Sequence, residues 1–152
     1  GRHDEALSLM EEWVPRCLPL AGGANHTRGL RQWGMAQLSA GRPDAALELA
    51  RQARELSRSR GERGEEAWCL HLLGQIVAHR DAFEAETAES YFERSRSLAG
   101  ELGMKRLAAY CAVELCELQR RGNRRAESEA SASVARALFD EMRIDALERL
   151  GG

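Results

Sequence analysis

His71, Gln75 and His79 recur every four residues, so on a helix they share one stripe. Trp68 lies three residues ahead of His71 on the same side. Such side chains are equipped for binding. They are equally suited to packing, as core or subunit-contact residues, which is where Trp and His in helices usually go. A metal site is a poor fit, because His71 and His79 stand two turns apart, roughly 12 Å along a helix axis. The four cysteines, Cys17, Cys69, Cys111 and Cys116, form no C-x-x-C pair and fall in apolar helical contexts. They read as reduced structural thiols of a cytoplasmic protein, not as ligands or disulfides. The sequence holds no phosphate-binding G-x-x-x-x-G-K-[ST], no G-x-S-x-G elbow and no H-E-x-x-H pair. We therefore expect no catalysis, no cofactor and no metal.

Charge narrows the partners further. The 22 Lys and Arg nearly balance the 24 Asp and Glu, giving a net charge of −2, which argues against direct nucleic-acid binding. Two basic runs, 58–64 and 120–125, fall between helical patterns and read as solvated turns, the second with contact to nucleic acid or an anionic partner as its alternative. No apolar run approaches the ~20 residues of a membrane span.

These residues must be carried by helices. Val, Ile and Thr together occur 8 times, against 24 Ala, 20 Leu and 19 Glu, a usage that starves strands and feeds helices. The 152 residues also repeat themselves. Gly1-Arg2-His3-Asp4-Glu5-Ala6-Leu7 returns forty residues on as Gly41-Arg42-Pro43-Asp44-Ala45-Ala46-Leu47. The same offset joins Leu30, Leu70 and Tyr110, then Trp33, Leu73 and Val113, and also Gly34 and Gly74. In the Ala6 and Ala46 series the third member, Ala88, falls two residues late, and the fourth, Ala126, is back in step.

Helices are predicted near 3–14, 26–40, 43–59, 62–80, 84–102, 104–121 and 123–142, with the start of another near 144–150. Glycines at 22–23, 41, 61, 103 and 122 separate them. Residues 68–78 and 107–118 are apolar on nearly every face, whereas 43–59 is striped. An inner helix followed by an outer one, repeated, describes an all-α solenoid of antiparallel helix pairs. Gly34 and Gly74 fit a close approach of the two helices in a pair, facing Ala46 and Ala88.

Leu30, Trp33, Gly34, Ala46, Ala50 and Ala53 together resemble the tetratricopeptide repeat (TPR). Leu70, Leu73, Gly74, Val77, Ala88 and Phe92 follow with a two-residue insertion, and Tyr110, Val113, Ala126 and Ala130 with Glu114 in place of glycine. The longer, forty-residue period, with Glu101-Leu102-Gly103-Met104 and Phe139-Asp140-Glu141-Met142, is similar to C-terminal regions of bacterial signalling ATPases. Those include regulators of the LuxR and maltose-regulator type and ATPase-fused adenylate cyclases. The resemblance implies a right-handed superhelix whose first helices line a concave groove for a protein or peptide. By position that groove would show Arg28, Arg31, Gln32 and Met35, then Trp68, His71, Gln75 and His79, then Ala108, Cys111, Leu115 and Gln119. An aromatic with Arg and His would suit an acidic or planar ligand.

The resulting expectation is one TPR-like domain: a half repeat at 1–24, repeats at 25–60, 61–103 and 104–143, and a partial helix at 144–152. Half repeats at both ends lead us to expect a piece of a larger protein. Its function would be protein interaction or effector sensing for bacterial signalling or transcription control. The alternative is self-association through unpaired solenoid ends, which carry Trp13 and Leu147.

Overall fold

The computed structural model describes the backbone of residues 23–80 and 84–151, side chains at 25–80 and 84–143, and in addition Ser8, Glu12 and Arg16. Of the helix expected at 3–14 only Ser8 and Glu12 are described, both helical, and Trp13 lies outside the described residues. So do Cys17 and the side chain of Leu147.

Six helices follow in order: α1 Gly23–Ser39, α2 Pro43–Ser59, α3 Arg63–Arg80, α4 Ala85–Glu101, α5 Lys105–Arg121 and α6 Arg125–Gly151. No strand occurs among the described residues. The separate helices expected at 123–142 and 144–150 are a single one, because Met142-Arg143-Ile144-Asp145 contains no Gly or Pro to stop it.

Four of the five connections are the same turn. Residues 41, 61, 103 and 123 adopt positive φ, three as glycine and the last as Asn123 at 56°. The following N–H then reaches back five residues: Arg42 to Gln37, Glu62 to Ser57, Met104 to Ala99 and Arg124 to Gln119, at 2.8–2.9 Å. This closure satisfies the carbonyls left over at a helix end and starts the next helix within three residues. The connection between α3 and α4 is one residue longer, and α3, at 18 residues, is one longer than α1, α2, α4 and α5, so the repeat gains two residues here.

Every helix packs against its chain neighbours. The odd helices also touch in sequence, α1 on α3 and α3 on α5, whereas α2, α4 and α6 make no contact with one another. The odd helices thus form an inner row and the even ones an outer row, as in a helical repeat. Burial follows that placement. On α2 only Ala46, Leu49, Ala50, Ala53 and Ser57 are buried, one stripe of an outer helix. On α3 the buried residues run almost continuously from Ala67 to Val77, since it is enclosed by α2, α4 and both inner neighbours.

The core is a row of clusters at the junctions. Ala46 and Ala50 meet Leu72, Leu73 and Ile76; further on, Val77, Ala88 and Phe92 meet Leu115 and Leu118. A Cβ at Gly34 would lie 3.4 Å from the Ala46 carbonyl oxygen and 3.2 Å from Leu72 Cδ2, so the close approach there is real. At Gly74 the three nearest atoms all belong to Phe92. The ring of Phe92 covers the glycine, and a Cβ would lie 2.7 Å from its Cε1.

The two-residue insertion also corrects the repeat. Equivalent positions on α3 and α5 are 42 residues apart, as their starts at 63 and 105 require. Cys116, not Glu114, therefore follows Gly34 and Gly74, and Ser128, not Ala126, follows Ala46 and Ala88. The pair confirms this by contact, with Cys116 Sγ 3.3 Å from Ser128 Oγ. Ala126 and Ala130 are exposed.

Candidate binding groove

The middle inner helix, α3, supplies the floor of the site. Its first turns present Glu65, Trp68 and His71 at three-residue spacing toward α1 and α5. From α1, Arg31 donates through Nε to Glu65 Oε2 at 3.1 Å, and Arg28 donates to Glu65 Oε1 at 3.0 Å. Arg31 is buried. Its guanidinium lies over the Trp68 ring, 5.4 Å from the centroid, with Met35 Sδ 3.6 Å from Nη1. The Arg31 charge is thus already matched by a carboxylate and a ring face.

His71 stands edge-on to Trp68, with centroids 6.0 Å apart, and its other side meets Phe92 at 5.6 Å. Only 8 % of it is exposed. Burial, aided by the Arg31 charge, pushes its pKa down to about 4, so the ring is neutral at physiological pH. Its Nε2 has no hydrogen-bond partner and lies 3.9 Å from Glu114 Oε1.

The opposite wall comes from α5. Tyr110 tilts toward Trp68 at 6.4 Å between centroids, Val113 follows, and Glu114 accepts a 2.8 Å hydrogen bond from Gln75 Nε2. Phe139 of α6 completes the rim. Together these enclose a groove of about 470 Å³ with mostly apolar walls. Tyr110 is 41 % exposed, Val113 48 %, and Met35 and Phe139 are similar, so four large apolar side chains face the same opening.

The structure therefore gathers Arg31, Met35, Trp68, His71 and Gln75 at one groove. It does not bring the other expected residues there. Arg28 sits on the outer side of Glu65, beside a second depression lined by Glu62, Arg63 and Met104. Gln32 is exposed and does not line the groove. His79 is exposed two turns from buried His71, between a smaller cleft with Glu117 and a depression of about 510 Å³ lined by Arg80, Glu86, Arg121 and Arg124.

Cys111 and Gln119 face away altogether. Cys111 lies among Ala67, Ala99 and Leu107, with its Sγ 3.2 Å from Ser95 Oγ. Gln119 is buried between layers, donating to Glu89 and accepting from Ser131. Ala108 and Leu115 are core residues too. The cause is the insertion before α4: two residues turn a helix by about 200°, so a forty-residue count lands on the reverse face of α5. At the observed spacing of 42, Trp68 maps to Tyr110, His71 to Val113 and Leu72 to Glu114. The Gly61 and Gly103 turns, also 42 apart, were the signal that could have found these.

Burial pushes the Cys69 thiol up to about 12 and the Cys111 thiol up to about 11, keeping both protonated. Among the described residues no group of three His, Cys, Asp or Glu is placed to hold a metal, and their cysteines are free.

Among known proteins, no family model matches the chain and no curated protein is similar to it. Its residues alone therefore carry the functional reading. The arginines of 120–125 are balanced locally: Arg120 and Arg121 on Glu117, Arg124 on Glu89 and Glu127, and Arg125 on Glu129. No described helix is long and apolar enough to cross a membrane.

Proposed function

We propose that the chain is a non-catalytic, TPR-like interaction module of a bacterial signalling or transcription-control protein, working in the cytoplasm. Its groove takes up a segment of a protein partner. One observation carries this reading: Met35, Tyr110, Val113 and Phe139 stand exposed around a single groove of about 470 Å³ on the inner side of the helix row. That volume falls in the range of specific ligand sites, about 300–1,000 Å³. Isolated apolar side chains on a surface need no explanation, but four around one concavity favour an occupant. The neutral His71 and the protonated thiols fit binding better than bond-making.

In a second reading the occupant is another copy of the chain. A photo-crosslinking residue at Val113, with Glu93 on the outer helix α4 as control, separates the two. An adduct of foreign mass formed from position 113 alone supports a partner. An adduct at twice the chain mass favours self-association, and equal labelling from both positions ends the groove reading.

A further inference from the structure

Resting on the groove reading, we infer that the occupant is a partner segment that lays one basic side chain, Arg or Lys, on the exposed Tyr110 ring and pairs it with Glu114. This reverses the ligand charge that the residue types alone imply. Arg and His in a groove point to an acidic ligand, but here both are already committed. Arg31 is buried, bound to Glu65 and laid over Trp68, so its charge is matched before any ligand arrives. His71 is buried and uncharged, with no hydrogen-bond partner at Nε2.

Arg28, which shares Glu65 with Arg31, does not line the groove, and the groove charge left without an opposite partner is that of Glu114. Glu114 lies against both the groove and the adjoining cleft. Its Oε1 accepts from Gln75 at 2.8 Å, a neutral donor that orients the carboxylate without neutralising it. Its only other charged-type neighbour within 4.0 Å among the described residues is the uncharged His71. A half-exposed, oriented carboxylate at the edge of an apolar groove lacks a cation, and a basic side chain supplies one.

The walls fit the rest of that side chain. Trp68 and Tyr110 pack together at 59° with centroids 6.4 Å apart, and Arg31 already lies over Trp68, so the exposed Tyr110 ring is the one a ligand cation can reach. Glu114 is one helical turn beyond Tyr110, so it stands beside that ring. A cation held over a ring and facing a carboxylate gains from both, and the long methylene stem of Arg or Lys covers apolar wall such as Val113 and Phe139. Residues flanking the basic one would be apolar, to meet Met35 and Phe139.

The test is selection of a randomised twelve-residue peptide library on the full chain, followed by binding measurements on the selected peptides. We expect Arg or Lys at one fixed position beside apolar residues. Glu114→Gln, which keeps shape and loses charge, should weaken these peptides about tenfold, as should Tyr110→Ala. Replacing the peptide's basic residue by norleucine should cost at least as much in the wild type and clearly less in Glu114→Gln, where only the ring contact is left to lose. Peptides that need Tyr110 but carry no basic residue, or ignore Glu114→Gln, would overturn the charge inference and leave the groove standing. Peptides indifferent to Tyr110→Ala, or no selected peptides at all, would overturn both.

Discussion

Gly74 and Gly34 occupy equivalent places, yet a methyl group has different consequences at each. At Gly74 it meets a buried aromatic ring at 2.7 Å, and Phe92 is fixed between α3, α4 and α5 with no exposed edge to move toward. At Gly34 the tightest neighbour is the free end of Leu72, and alanine favours the helix by roughly 1 kcal/mol over glycine. Gly74→Ala should therefore destabilise by about 1–3 kcal/mol, while Gly34→Ala stays near neutral. Urea denaturation of the two variants checks this, and equal losses would refute it. His71 gives a second residue-scale outcome. Unfolded, it titrates near 6.5; folded, at about 4. As pH falls through that window the unfolded chain takes up a proton that the folded chain refuses. Stability is therefore full above 6.5 and declines toward 4, by about 3 kcal/mol in all. Glu89, held below its ordinary value chiefly by its hydrogen bond from Arg124, adds its own loss only below the usual carboxylate range. Denaturation midpoints between pH 6.5 and 5 isolate the histidine, and His71→Gln should flatten the slope there. That His71 would be neutral was not legible in the sequence, because its environment is built by Phe92, Arg31 and Trp68 from three helices.

Between elements, the tie that matters most for the groove is Arg31 to Glu65, joining α1 to α3 across the inner row. Both side chains are about nine-tenths buried. Removing one partner strands the other charge, a loss of about 3–5 kcal/mol, so Glu65→Gln should be strongly destabilising. Arg31→Met with Glu65→Leu should lose much less, because neither charge remains. Thermal melting of both variants gives the comparison. Element positions were largely open to reading: the predicted 43–59 coincides with α2, and 62–80 with α3 to within one residue. Glycine turns and 3.6-residue stripes are local signals, and short sequence windows carry them. The rotational setting of α5 was not local. It depends on the two extra residues before α4, and a fixed count of forty placed Cys111 and Gln119 in a groove that Tyr110, Val113 and Glu114 line instead. The same slip concealed Cys116 and Ser128 as heirs to the Gly and Ala positions.

Across the whole molecule, contacts run between neighbours in sequence and, on the inner row, next neighbours. Stability in such an arrangement is a sum of adjoining interfaces and is not uniform along the chain. Enclosed α3 should be the slowest to exchange its amide hydrogens, and α6, which among the described helices packs only on α5, should open well before it. Hydrogen-exchange mass spectrometry resolves this, and one common rate for all helices would contradict it. A mechanical corollary concerns Phe139, which α6 lends to the groove rim. Interfaces arranged in series share a pulling force, and the one at the loaded end yields first. Tension applied beyond residue 151 bears on the α5–α6 seam before it reaches α3. The groove would lose the wall that Phe139 provides while its floor stayed intact, so a load on that side of the chain would loosen the grip on an occupant without unfolding the module.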